Sequence, residues 1–404
     1  MHKKLWNKDY FLMLQGDAIS SLGDILYSVA IGYWVYDRTG SSALMGLMSS
    51  ISMFMTMIVM PFSGAIIDKC NRKAVIVGMD VARGIIMLAI GFLAFADNLR
   101  VEAVLAAAFL ASLCSVFFEP AVGTLYLDII PQDDMVRGQS VQNGINTFIS
   151  LVGKALSGAL VVFLGVPLVI ILNGASYLIS AFTELFVTVP KTKRQGESVT
   201  AKGLLADMHV AILEIIHNQF LRLFISSALI VNLLDAGPFS LMLPFAMEKG
   251  FSVDAYGYLM SISTAASFVC VIIIGAVKLK RKTQYRLMAI GFLSSMVFYL
   301  IAYSATNYWL VAMMFFLGSF TNTLGNGIFN SVIMMVLPED KRGVLLGFLN
   351  SGSVGGMALS TVIYGLLCDV FPTQYVFTVG TVLGVIPMCY LCFHKNTKKF
   401  IQTH

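Results

Sequence analysis

The chain has 404 residues, of which 57% are hydrophobic and 12% charged, and its mean hydropathy is +0.81. Soluble domains carry about 25% charged residues, so too little charge is present to clothe a surface in water, and a soluble enzyme is excluded. The net charge of +5 is divided among short basic clusters between apolar runs, which excludes a continuous nucleic-acid-binding patch.

A helix that crosses a bilayer needs about 20 mostly apolar residues. The apolar runs predict twelve, near 11–36, 43–67, 74–96, 101–127, 138–163, 167–189, 220–246, 255–277, 283–304, 307–332, 343–369 and 374–394. The first follows Lys3, Lys4 and Lys8 and exceeds the apolar stretch of a signal peptide, so it reads as a span. Asp24 falls near its middle. The second ends on Gly64-Ala65 and leads into Asp68 and Arg72-Lys73. The third carries Asp80 and Arg83, three residues apart on one helix face, where they are expected to form a structural pair. Glu119 lies in the fourth, with Asp128 at its end, and Lys154 lies near the middle of the fifth. Glu184, close to the end of the sixth, is expected to snorkel to the interface. Residues 191–219 form the longest polar segment. It begins as a linker, and its apolar residues then recur at helical spacing, which predicts an amphipathic helix on the membrane surface. Asp235 lies near the middle of the seventh span.

Ionisable side chains at mid-bilayer cost about 2.5–3.5 kcal/mol each on the insertion scale, so they are expected to face a cavity or a partner. Asp24, Glu119, Lys154 and Asp235 are therefore the candidates for proton coupling or for lining a cavity. Two readings stand for Asp24 and Lys154: an acid that titrates during transport beside a cation that pairs with it or leaves it, or a static buried pair.

Of the 27 Lys and Arg, all but Arg38, Arg83, Arg100, Lys154 and Lys249 fall in alternate loops or at the termini on one side. Basic loops stay cytoplasmic, so both termini are expected inside a plasma or inner membrane and the number of spans is even. The halves also repeat. Pro131-Gln132-Asp133-Asp134 before Arg137-Gly138 is echoed by Pro338-Glu339-Asp340 before Arg342-Gly343, and Gly64-Ala65 by Gly275-Ala276. Such repetition six spans apart is the mark of a duplicated transporter. The division expected is 1–190 as one six-helix bundle, 191–219 as a cytoplasmic linker and 220–404 as the second bundle.

The run Gly64-Ala65-Ile66-Ile67-Asp68-Lys69-Cys70-Asn71-Arg72-Lys73 resembles the loop 2–3 signature of the major facilitator superfamily. That resemblance implies an all-α membrane protein with twelve helices in two pseudo-symmetric six-helix bundles, and alternating access through a cavity between them. It also implies a gating loop in which Asp68 caps span 11 and Arg72, beside Lys73, engages an acid near the end of span 4, for which Asp128 is the candidate. A narrower resemblance, to the drug-exporting branch that includes macrolide efflux proteins and siderophore exporters, rests on three elements: Ile19-Ser20-Ser21-Leu22-Gly23-Asp24, Phe118-Glu119-Pro120-Ala121 and Gly153-Lys154-Ala155-Leu156-Ser157-Gly158. The last departs from the G-P-x-x-G-G of that branch's antiporters, with Lys154 in place of the proline.

No catalytic or metal-binding pattern is present. There is no phosphate-binding glycine loop, the five histidines lie outside the spans or at their ends, and the six cysteines read as small buried apolar residues. The expected function is export of hydrophobic or amphipathic compounds by proton antiport, with no cofactor beyond the proton gradient. A small-molecule substrate and membrane lipid are the expected partners, nucleic acid is not, and a monomer is expected. The alternatives are a carrier of a lipid-like or siderophore-type metabolite without strict antiport, and a non-transporting receptor.

Overall fold

The computed structural model describes residues 5–67, 70–188, 219–276, 281–336 and 342–393. Among these residues all regular structure is helical. The α-helices run α1 Lys8–Thr39, α2 Ser42–Ile67, α3 Arg72–Phe95, α4 Val101–Ile129, α5 Met135–Leu164, α6 Val166–Glu184, α7 Gln219–Ser240, α8 Met242–Glu248, α9 Val253–Ala276, α10 Arg281–Ser304, α11 Tyr308–Val336, α12 Arg342–Cys368 and α13 Thr373–Phe393. Ten contain stretches long and apolar enough to cross a membrane, or eleven when the bent pair α7–α8 counts as one span. α11, with 29 residues, is longer than most of them. The linker and the amphipathic helix expected before residue 219 lie outside the described residues, as does Asp68.

Two breaks have local causes. α5 and α6 are separated by Gly165 alone, whose φ of 77° ends one helix and starts the next. α7 and α8, expected as one span, meet at 50°. Pro238 has no N–H to give to Leu234. The freed carbonyl is taken instead by the Tyr364 hydroxyl of α12, and the Gly237 N–H turns to Ser360 Oγ at 2.8 Å.

Outer and inner faces are inverted relative to a water-soluble protein. On α3, Ile85, Phe92 and Phe95 are exposed while Asp80 and Arg83 are buried. Hydrocarbon outside and polar groups inside is the arrangement a bilayer favours.

The chain falls into two compact units, one of Met1–Thr39, Ile51–Ala201 and Val253–Tyr258, the other of Gly40–Ser50, Lys202–Ser252 and Leu259–His404. Inside the first, α1 packs on α5 and α6, and α3 packs on α4 and α6. Inside the second, α7 packs on α12 and α13, and α10 packs on α11 and α13. The pairing scheme is therefore the same in both, as the repeated loop sequences predict. In the second unit Asp369 also accepts from the Ser42 N–H (2.5 Å), the Ala43 N–H (3.2 Å) and Ser41 Oγ (2.7 Å), capping the first turn of α2.

Candidate functional site

Glycine spacing decides where α1 meets α6. A Cβ on Gly16 would lie 2.8 Å from Ser180 Oγ, and one on Gly23 would lie 2.4 Å from Asn173 Oδ1. The two glycines are seven residues apart and share a face, and each is followed by an aspartate. Asp17 and Asp24 are thereby carried to the edge of the same contact. On the other side of α6, Gly84 and Gly91 of α3 are closed against Leu178 and Ile171. α6 answers with a polar stripe at helical spacing, Asn173, Ser176, Tyr177, Ser180 and Glu184, all buried.

The seam between α1, α3 and α6 is consequently charged. Asp24 accepts hydrogen bonds from the Tyr177 hydroxyl and from Asn173 Nδ2, the latter at 3.4 Å. Asp17 accepts from the hydroxyl of Tyr126 on α4 at 2.6 Å and from Gln142 Nε2 on α5 at 3.4 Å. Asp80 and Arg83 form an ion pair, 0% and 5% exposed. The guanidinium is held between two rings, 4.1 Å from the centroid of Phe118 and 4.5 Å from that of Tyr177, a cation–π arrangement that is strongest when desolvated. Arg83 also donates to Ser115 Oγ at 3.4 Å. Glu184 Oε1 accepts from Ser180 Oγ at 3.2 Å. Asp80 Oδ2, Arg83 Nε and Glu184 Oε2 are buried with no hydrogen-bond partner.

At the loop 2–3 face of the same unit, Asn71 caps α3 and Arg72 pairs with Asp128 at 2.6 Å, the partner that the signature implied. Lys73 donates to the carbonyls of Leu185 (2.7 Å) and Val187 (2.9 Å), closing the end of α6 with a cation where the helix dipole favours one. Asp9 accepts from the Thr188 N–H at 2.9 Å. Gly64 lies in the last turns of α2.

Comparison with known proteins places the chain. The model of the Major Facilitator Superfamily matches residues 16–352, with a second match over 225–399. The chain belongs to the major facilitator superfamily. It is a multi-pass membrane protein built for transport and not an enzyme. An uncharacterized MFS-type transporter of Bacillus subtilis, YkuC, is 23% identical over 74% of this chain and 71% of its own. Macrolide efflux protein A of Streptococcus pyogenes is 20% identical over 48% of each chain, and a putative bacilysin exporter of Bacillus subtilis, BacE, is 27% identical over 48% of this chain and 47% of its own. The chain thus spans about half the length of those two exporters. Among solved structures, a bacterial homologue of the iron transporter ferroportin in an inward-facing state aligns with a TM-score of 0.76 at 15% identity, over 95% of this chain and 98% of that one. The nucleoside transporter NupG aligns at 0.73 and 16%, over 97% and 99%. These likenesses establish the fold.

Within this superfamily member the sequence candidates are distributed unevenly. Asp24 bonds to α6 and not to Lys154, so the expected Asp24–Lys154 pair is replaced by Asp24–Tyr177–Asn173. The reason is the Gly23 contact, which turns that face of α1 toward α6. Lys154 sits half-buried on α5, where its carbonyl lies against Gly257 at the start of α9. Glu119 is exposed on α4. Asp235 lies on α7 within electrostatic range of the Tyr299, Tyr303 and Tyr364 hydroxyls. Glu184, expected at the interface, is 1% exposed: Lys73 occupies the end of α6 and Ser180 turns the carboxyl inward. Asp17, Tyr126, Asn173 and Tyr177 were not singled out from the sequence. Their signal is the repeat of Gly-Asp at 16–17 and 23–24 with the matching stripe on α6.

Proposed function

We propose that the protein exports hydrophobic or amphipathic small molecules by alternating access, as a proton antiporter of the cell membrane with its basic loops and both termini in the cytoplasm. The observation that carries this reading is the state of Asp24. Its carboxylate sits at mid-span, half-buried and bonded to two neutral donors, while the cation in electrostatic range of it, Arg83, is paired with Asp80. Such a group persists in a bilayer when it gains and loses a proton. Asp24 is the coupling acid. Glu119, exposed on α4, passes the proton or meets a cationic substrate, and Lys154 and Asp235 tune the field along the substrate path. The Arg72–Asp128 pair, with Gly64, Asp68 and Lys73 as the other residues of the loop signature, acts as a latch that forms in one half of the cycle and opens in the other. Support for export comes from the likeness to a macrolide efflux protein and to a putative bacilysin exporter. The working unit is a monomer in lipid, and the proton gradient is its energy source.

A second reading, a carrier of a lipid-like or siderophore-type metabolite without antiport, is favoured by Lys154 standing where the drug antiporters have proline. The test is uptake of a panel of dyes and macrolides by inverted membrane vesicles, with and without an imposed proton gradient. Gradient-driven transport by the wild type, lost in Asp24→Asn at equal protein level, is expected. Transport indifferent to the gradient overturns antiport and leaves the second reading.

A further inference from the structure

The seam holds more acid than one coupling residue explains. Asp17, Asp24, Asp80 and Glu184 all lie within electrostatic range of one guanidinium, that of Arg83, and Asp80 is bonded to it. Four carboxylates and one cation cannot all be ionised in a desolvated seam, because each uncompensated charge costs several kcal/mol. Three of the acids are already provided for: Asp80 is paired with Arg83, Asp24 takes a hydroxyl and an amide, and Asp17 takes the Tyr126 hydroxyl and the Gln142 amide. Glu184 differs from all three. It is 1% exposed, it has one weak donor in Ser180 at 3.2 Å, and its second oxygen has no partner.

The groups that act on Glu184 come from every helix around it. Asp17 faces it from α1, Asp80 and Arg83 from α3, and the Tyr126 hydroxyl from α4. Lys73 is engaged beyond it by the Leu185 and Val187 carbonyls, and Asp9 by the Thr188 N–H. No three of the described His, Cys, Asp and Glu side chains are placed to hold a metal ion. The cation that fits an unpartnered carboxyl oxygen among other acids is therefore a proton.

We propose that Glu184 is a second proton-binding site, lying at the loop 2–3 end of the seam and separate from Asp24. Its orphan oxygen carries the proton, and Asp80 Oδ2, also without a donor, is the neighbouring acceptor. The site rests on the proposed antiport for its use in transport, though not for its occupancy. In that use it stands at the end of the seam nearest the Arg72–Asp128 latch, so the seam reaches from mid-span to that face through Asp24, Asp80 and Glu184.

The experiment is infrared difference spectroscopy on the full-length protein in lipid nanodiscs, between mildly acidic and alkaline buffer, for wild type, Asp24→Asn and Glu184→Gln. A protonated-carboxyl band present in wild type and Asp24→Asn, and lost in Glu184→Gln, is expected. A band unchanged in Glu184→Gln overturns the proposal. Should Glu184→Gln not fold, labelling of wild type by dicyclohexylcarbodiimide, which attacks protonated carboxyls in apolar surroundings, replaces it. Modification mapped to Glu184 that disappears at alkaline pH supports the site, and an unmodified Glu184 beside a labelled Asp24 overturns it. The two readings fail separately. Gradient-driven transport retained in Asp24→Asn removes Asp24 from coupling and leaves the Glu184 band in place. A missing Glu184 band leaves the vesicle result for Asp24 standing.

Discussion

The two units use one pairing scheme and fill it with opposite chemistry. Where α3 meets α6 in the first, the contact holds Asp80, Arg83, Tyr177, Ser180 and Glu184. Where α10 meets α11 and α13 in the second, the core holds Tyr285, Met288, Phe292, Met296, Ile328, Met388 and Cys392. Further along, Tyr299, Tyr303, Phe315, Phe245 and Phe377 form one continuous ring cluster, with Asp235 as the acid beside it. Replacing a buried ion pair by apolar side chains is often neutral or stabilising, and the second unit shows that the scaffold accepts such a filling. The charges of the first unit are therefore not required by the scaffold.

The strongest way to break this contrast is to remove its cation. Arg83→Met leaves Asp80 buried and unpaired and is expected to cost about 3–5 kcal/mol, whereas Asp80→Asn/Arg83→Met recovers most of that. The free cysteines suit the measurement. Cys270 and Cys392 are buried, so a thiol-reactive dye reports thermal unfolding in detergent. A single mutant as stable as wild type would show that the pair contributes nothing. Next in size are the glycines. Gly23→Ala forces a methyl to 2.4 Å from Asn173 Oδ1 and 2.5 Å from Ser176 Oγ, and overpacking of this kind costs about 1–3 kcal/mol. Gly384→Ala on α13 meets Met296 at 3.5 Å and Leu234 at 3.9 Å, ordinary contact distances. It is expected to leave stability unchanged or raise it by about 0.5–1 kcal/mol through helix propensity. Equal effects in the same dye assay would erase the difference between the two seams.

A hydroxyl removed from each unit gives a finer test. Tyr299→Phe loses one bond to Ser319, made at 3.3 Å, worth about 1 kcal/mol, with no change in the pH profile of transport. Tyr177→Phe takes a donor from Asp24 and is expected to shift that profile in the vesicle assay. The smallest expected effect is that of Lys73→Ala. It removes the cation from the α6 terminus, about 0.3–1 kcal/mol, and its melting curve should fall below that of wild type by less than that of Arg83→Met or Gly23→Ala.

Much of this was open to reading in the sequence. Span positions followed from apolar runs, because a bilayer demands length and hydrophobicity and little else. The Asp80–Arg83 pair followed from their spacing on one helix. For Arg72 the loop signature implies an acid near the end of span 4, where Asp128 is the candidate and is the residue it pairs with. What could not be read was helix rotation. Asp24 looked toward Lys154 only as long as the Gly16 and Gly23 face of α1 had no assigned neighbour. Glu184 looked like an interfacial residue until Lys73 was found at the end of α6. The bend at Pro238 was hidden for a similar reason, since a proline in a span stays straight or bends according to who takes the carbonyl it frees.

That carbonyl links two distant positions in the chain. Within hydrocarbon a backbone oxygen released by proline has no water to turn to, and Leu234 relies on the hydroxyl of Tyr364, 130 residues later. A proline at 238 and a hydroxyl at 364 thus work as one structural unit. Relatives that lose the proline are released from the tyrosine, and those that keep it retain a donor there, so the two positions are expected to change together.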